Sequence, residues 1–150
     1  MKRGFSAFLF VICLCSGCVS DAERRVETTG VSSPDCPSAY FVGFLKMFME
    51  DENVQRQWTH LPLKELSLDY AANPEPEPRV RMLNREEIKF PIIPNNEKKE
   101  KSGLEFKVEE FPACGAKVVF YMEDSGWLVY YFFNAVNGCW KLTEIQDWSM

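Results

Sequence analysis

The sequence predicts an α+β domain: N-terminal helices packed on a curved antiparallel sheet that ends in a three-stranded meander. Three observations carry that expectation. Phe41, Phe44, Leu45 and Phe48 recur at spacings of three, four and seven, which is one apolar helical face. The last third of the chain holds three apolar runs, Lys117 to Met122, Trp127 to Asn134 and Cys139 to Trp148, joined by Asp124-Ser125-Gly126 and Asn137-Gly138 turns. Helices come first and strands after, instead of alternating, which is the order of an α+β plan.

The chain opens on an export signal. Lys2 and Arg3 form a positive n-region, and Phe5 to Leu14 an apolar stretch too short to span a bilayer. Ser16 and Gly17 precede Cys18 as in a lipobox, although Cys15 stands where Leu is usual. Residues 1–17 are therefore expected to be cleaved as a lipoprotein signal peptide and Cys18 to carry the acyl chains, palmitate among them. A multiply acylated cysteine anchors far more firmly than a single chain does. Residues 18–33 are polar and aperiodic, a flexible tether of roughly 20 Å mean reach. Residues 34–150 form one domain, and roughly 115 residues suffice for one modest core. The expected location is the bacterial cell envelope, lipid-anchored and facing the periplasm.

Hydrophobic residues make up 46% of the chain and aromatics 14%, which argues against wholesale disorder. The formal charge is −5, and loss of Lys2 and Arg3 takes it to about −7. An acidic domain without a basic stripe has no footprint for a phosphate backbone, so nucleic acid is not an expected partner.

Within the domain, Ser38 is placed to cap a first helix running to about Met49, and Asp51 a second through about Gln57. Leu63 to Tyr70 alternates loosely, as an edge strand would. Asn73 to Pro78 must be extended, because a proline disfavours helix in the residue before it. Val80 to Leu83 and Ile88 to Ile93 are weaker strand candidates, and Asn95 to Gly103 reads as a charged loop. Leu104, Phe106 and Val108 alternate with charges as in a half-buried strand. In the meander, a two-residue turn at Asn137-Gly138 pairs Val136 with Cys139, Phe133 with Leu142, Tyr131 with Glu144 and Tyr130 with Ile145. A three-residue turn at Asp124 to Gly126 then gathers Val118, Phe120 and Met122 on the face of Leu128, Tyr130 and Phe132. The middle strand is apolar on both faces. One is expected to meet the first helix, the other either the Leu63 to Phe106 segments or a second copy of the chain.

Phe41-Val42-Gly43-Phe44-Leu45, Phe48, Asp51, Val54-Gln55 and Leu61-Pro62-Leu63 resemble the opening of a family of uncharacterised bacterial lipoproteins, a domain of unknown function. That family begins with F-x-x-F, an acidic turn, a hydrophobic-Gln pair and F-P-L. Asn84-Arg85-Glu86-Glu87-Ile88-Lys89-Phe90-Pro91 is similar to its middle motif, with Ile88 in the place of Trp. Tyr130-Tyr131-Phe132-Phe133, Asn137-Gly138, Trp140, Leu142, Ile145, Asp147 and Ser149 look like its close. The resemblance covers about Phe41 to Ser149 and rests on packing and turn signals. It implies a cone-shaped domain of the nuclear-transport-factor-two-like or cystatin-like kind, with helices in the concavity of a bent sheet. It brings no activity with it.

Chemistry is sparse. His60 is the single histidine, so any triad or multi-histidine metal site would have to include it. The mature cysteines lack CxxC spacing, and no metal or other cofactor is expected. In an oxidising compartment one disulfide is expected among Cys36, Cys114 and Cys139, with Cys36 the favoured partner of one of the other two. Glu144 and Asp147 are the candidate buried acids, with Tyr121, Tyr130 and Tyr131 as donors. Tyr130, Tyr131, Phe132 and Glu144 are the candidate pocket or interface residues. The expected function is that of a non-enzymatic envelope lipoprotein binding a protein partner or a small apolar ligand. An inhibitor or immunity protein against a cell-wall-degrading enzyme, and an isomerase- or hydrolase-like enzyme using a carboxylate, are the alternatives.

Overall fold

The computed structural model describes residues 36–72, 74–111 and 115–150. The signal, Cys18, the tether, Asn73 and Cys114 lie outside the described residues. Helix α1 spans Phe41–Glu50, α2 Glu52–Trp58 and α3 Asn96–Ser102. The strands are β1 Thr59–Asp69, β2 Glu77–Leu83, β3 Glu105–Phe111, β4 Gly115–Tyr121, β5 Leu128–Val136 and β6 Cys139–Asp147. They form one curved six-stranded sheet in the order β2-β1-β6-β5-β4-β3, antiparallel except where β1 runs parallel to β6.

The first helix buries the face its spacing predicts: Phe41, Phe44, Leu45 and Phe48 are all at most 3% exposed. Their rings close on Phe133 of β5, at 5.3 Å from Phe41, 5.9 Å from Phe44 and 5.3 Å from Phe48. Tyr40, not Ser38, is the N-cap of α1. The Ser38 hydroxyl is used one step earlier, donating to the Tyr40 carbonyl and accepting from its N–H. Asp51 does cap α2, its carboxylate accepting from Asn53 N–H at 2.8 Å.

Four expectations about the middle of the chain are corrected. The Leu63 to Tyr70 run belongs to an interior strand, because β1 starts at Thr59 and lies between β2 and β6. The Asn95 to Gly103 stretch is α3, capped by Asn95 on Lys98 N–H and closed by Gly103 in the left-handed region. Ile88 to Ile93 is irregular chain, not a strand. β3 is almost wholly exposed; only Phe106 turns inward, stacking on Phe120 at 5.3 Å. Both sheet edges, β2 and β3, are thus the solvated strands, and Pro78 is tolerated because β2 is an edge.

The irregular segment 84–93 lies on the concave side, and a single glutamine holds it. Gln55 of α2 is 1% exposed. Its Nε2 donates to the Ile93 carbonyl at 2.9 Å, while its Oε1 accepts from Ile92 N–H at 2.6 Å and Ile93 N–H at 3.2 Å. With no strand partner, that backbone relies on the Gln55 amide to pair it. Gln55→Leu keeps the bulk and strands these groups, so it should destabilise the domain by about 3 kcal/mol. Urea unfolding measures this, and a loss below about 1 kcal/mol would show that water replaces the amide.

Candidate functional site

On the concave side, a cavity of about 430 Å³ lies between the sheet and segment 84–93. Its apolar wall includes Leu63, Ile88, Ile92, Trp127, Val129, Tyr131 and Ile145. Glu65, Arg81, Glu87, Lys89 and Asp147 supply charge. Strand pairing explains the grouping: Glu65 is level with Arg81 and Ile145, Ile145 with Tyr131, and Asp147 with Val129, so these side chains share one face. A bulge between Phe132 and Phe133 makes that alignment possible. Thr143 fills it, its hydroxyl donating to the Phe132 carbonyl and accepting from Asn134 Nδ2 at 2.8 Å.

The bulge corrects the expected register. Val136 with Cys139 and Phe133 with Leu142 pair as the turn predicts, but beyond Thr143 Phe132 meets Glu144 and Tyr131 meets Ile145. The β4–β5 connection also differs by one residue. Met122 N–H bonds to the Trp127 carbonyl, leaving a four-residue loop at Glu123–Gly126. Val118 and Phe120 consequently face inward with Tyr131 and Val129, and both are fully buried.

The candidate residues separate accordingly. Tyr131 lines the cavity, whereas Tyr130, Phe132 and Glu144 sit on the convex face. Glu144 is ion-paired to Lys64 at 3.1 Å and accepts from Gln146 Nε2 at 2.7 Å, so it is not an acid in a closed pocket. Tyr121 is also convex, bonded to Glu105 at 2.7 Å, and that bond is the first cause of its raised phenol pKa. His60 is exposed on β1 and does not line the cavity. Among the described residues no His/Cys/Asp/Glu group is arranged for a metal ion.

The expectation that the Leu63 to Phe106 segments cover the second face is overturned. β1 and β2 extend the sheet, and the 84–93 segment lies on the concave side. On the convex face Lys117 lies 5.3 Å above the Tyr130 ring and pairs with Glu109, while Lys107 lies 5.0 Å above Tyr121. The two lysines thus lie over the Tyr121 and Tyr130 rings on this face.

Asp147 and Tyr131 are both polar groups of the cavity wall. Tyr131 is 5% exposed and its hydroxyl donates to the Ile92 carbonyl at 3.3 Å. Burial first, and the Asp147 charge second, push its pKa well above the ordinary value. The folded state therefore holds the phenol proton at a pH where the unfolded chain releases it. Stability from this group is complete below pH about 10 and falls as pH rises beyond it, by up to about 1.4 kcal/mol per unit. The stabilities of wild type and Tyr131→Phe from urea unfolding should draw together as pH rises above about 10. Parallel curves would place the phenol in water.

Gln55 was legible only as part of a hydrophobic-Gln pair, and the polar rim formed by Glu65, Arg81 and Glu87 carried no sequence signal. The structure pairs Cys36 with Cys139, Cα atoms 5.5 Å apart. No helix among the described residues is long and apolar enough to cross a membrane.

No family model matches the chain, and no curated protein matches it. Solved structures do. An NTF2-like protein from Bacteroides fragilis NCTC 9343 superposes with a TM-score of 0.54 at 18% identity, covering 73% of this chain and 47% of that one. The chain thus spans about half the length of that relative. An NTF2-like protein of unknown function from Shewanella baltica OS155 gives a TM-score of 0.41 at 13% identity, covering 71% of this chain and 87% of that one. A de novo designed protein with a curved β-sheet gives 0.41 at 14% identity, covering 71% and 90%. The cone of helices against a bent six-stranded sheet is an NTF2-like fold.

Proposed function

We propose that this chain is a non-catalytic, lipid-tethered binding module of the bacterial envelope, and that it holds a small, largely apolar ligand in the concave cavity. The observation that carries this reading is the cavity itself. At about 430 Å³ it falls in the size range of small-molecule sites, and its wall combines apolar side chains with charged groups that could orient a ligand. The Cys36–Cys139 bridge supports an oxidising compartment, and the Cys18 lipobox supplies the tether. The similarity of residues 41–149 to the uncharacterised lipoprotein family belongs to the same proposal.

Catalysis is the weaker reading. Asp147 is the one candidate acid beside the cavity, Glu144 being on the other face, and the Tyr131 hydroxyl is committed to a backbone carbonyl instead of free to donate. An inhibitor would need a rigid protruding segment. The charged stretch Asn95 to Gly103 is instead the helix α3 with its caps.

Two measurements test the proposal. Adding 2-phenylethanol to the lipid-free domain should shift the methyl resonances of Ile88, Ile92 and Ile145 and the fluorescence of Trp127. Unmoved signals at saturating probe would remove the cavity as a site. For the tether, Cys18→Ser should abolish incorporation of radioactive palmitate in cells; label that persists would withdraw the lipobox assignment.

A further inference from the structure

Resting on the cavity as a binding site, the charges around it narrow the ligand to one chemical class. Glu65 and Glu87 share one cation, Arg81, which lies 3.6 Å from the first and 3.5 Å from the second. Glu87 is further occupied, accepting from Asn84 N–H at 2.9 Å. Asp147 has no such partner. Its Oδ1 accepts from Ser149 N–H at 3.0 Å, and among the described residues no lysine, arginine or histidine nitrogen lies within ion-pair distance of it. The cavity wall thus has three carboxylates against Arg81 and Lys89. Lys89 is exposed and makes no ion pair with any of them.

Asp147 is set into an apolar wall. Strand pairing puts Val129 directly opposite it on β5 and Ser67 on β1, and Trp127, Tyr131 and Ile145 line the same cavity. A carboxylate with no ion-pair partner, next to apolar surface, gains from a cation brought by a ligand with its own apolar body. The Trp127 indole, which lines the same cavity, adds a ring face, which also favours a cation. An anionic ligand would have to sit against an unneutralised acid.

We propose that the cavity binds an organic cation, an amine whose ammonium pairs with Asp147 while its apolar body lies against Trp127, Ile92 and Ile145.

The test uses three probes of one shape on the lipid-free domain, followed by calorimetry and by the Ile92 and Ile145 methyl resonances. They are phenethylamine, 2-phenylethanol and 3-phenylpropionate. The expected order is amine tightest, alcohol about tenfold weaker and carboxylate weakest. Asp147→Asn should bring the amine down to the alcohol and leave the alcohol unchanged. An alcohol that binds as well as the amine, or an amine preference that survives Asp147→Asn, overturns the cation assignment while leaving the cavity as a site. Failure of all three probes to bind overturns the cavity reading and this assignment with it. If Asp147→Asn does not fold, the order of the three probes on the wild type decides alone.

Discussion

Replacing Cys36 and Cys139 together by alanine will lower the stability of the domain by about 4.7 kcal/mol, the loop-closure entropy of a cross-link that encloses about 100 residues. The two cysteines are 103 positions apart, so the bridge closes almost the whole folded chain into one loop. The native state needs little help from it, because the same two segments meet by other means. The Trp140 ring lies 4.9 Å from Phe41, and its indole N–H donates to the Ala39 carbonyl. The loss should therefore fall on the unfolded ensemble: a lower urea midpoint, an m-value raised by the more expanded unfolded chain, and a native spectrum unchanged. For a domain of this size about 4.7 kcal/mol can be most of its net stability. Urea unfolding of the oxidised protein, the reduced protein and the double variant measures it. A difference below about 1 kcal/mol would show that the bridge locks a contact already made in the unfolded chain.

What the sequence disclosed follows from the range of each signal. Spacing along one helix is local, so the buried stripe of α1 and the Asp51 cap were both readable. The Asn137-Gly138 turn is equally local, and it fixed the pairing of Val136 with Cys139 and Phe133 with Leu142. Five residues from the turn the prediction failed. The Thr143 bulge depends on a hydroxyl reaching the Phe132 carbonyl and the Asn134 amide of the neighbouring strand, which no periodicity records. The site was harder still. Asp147 was among the candidate acids, but Glu144 ranked beside it because a single step of register separates a cavity acid from a surface ion pair. Segment 84–93 has neither period, since its backbone is paired by Gln55 and not by a strand or helix. The short apolar run Ile88 to Ile93 reads as a strand by default.

Register also separates neighbouring residues on β5. Phe133 is 1% exposed and receives three phenylalanine rings from α1, whereas Phe132 points to the convex face and touches Tyr130 edge-on at 6.5 Å. Phe133→Ala should cost about 3–5 kcal/mol, because the helix cannot settle into the vacated volume without moving the other rings. Phe132→Ala should cost about 1 kcal/mol, the part of a half-buried side chain that truncation exposes. Phe120 discriminates between the two possible β4 alignments. The three-residue turn would set it beside Phe132 and make its truncation mild. The four-residue loop seals it between Phe106 at 5.3 Å and Tyr131 at 5.6 Å, which places Phe120→Ala with Phe133→Ala. Urea midpoints for the three variants settle the matter by their order. A mild Phe120→Ala beside a severe Phe132→Ala would reverse the faces of β4 and β5, and the cavity lined by Val129 and Tyr131 would go with them.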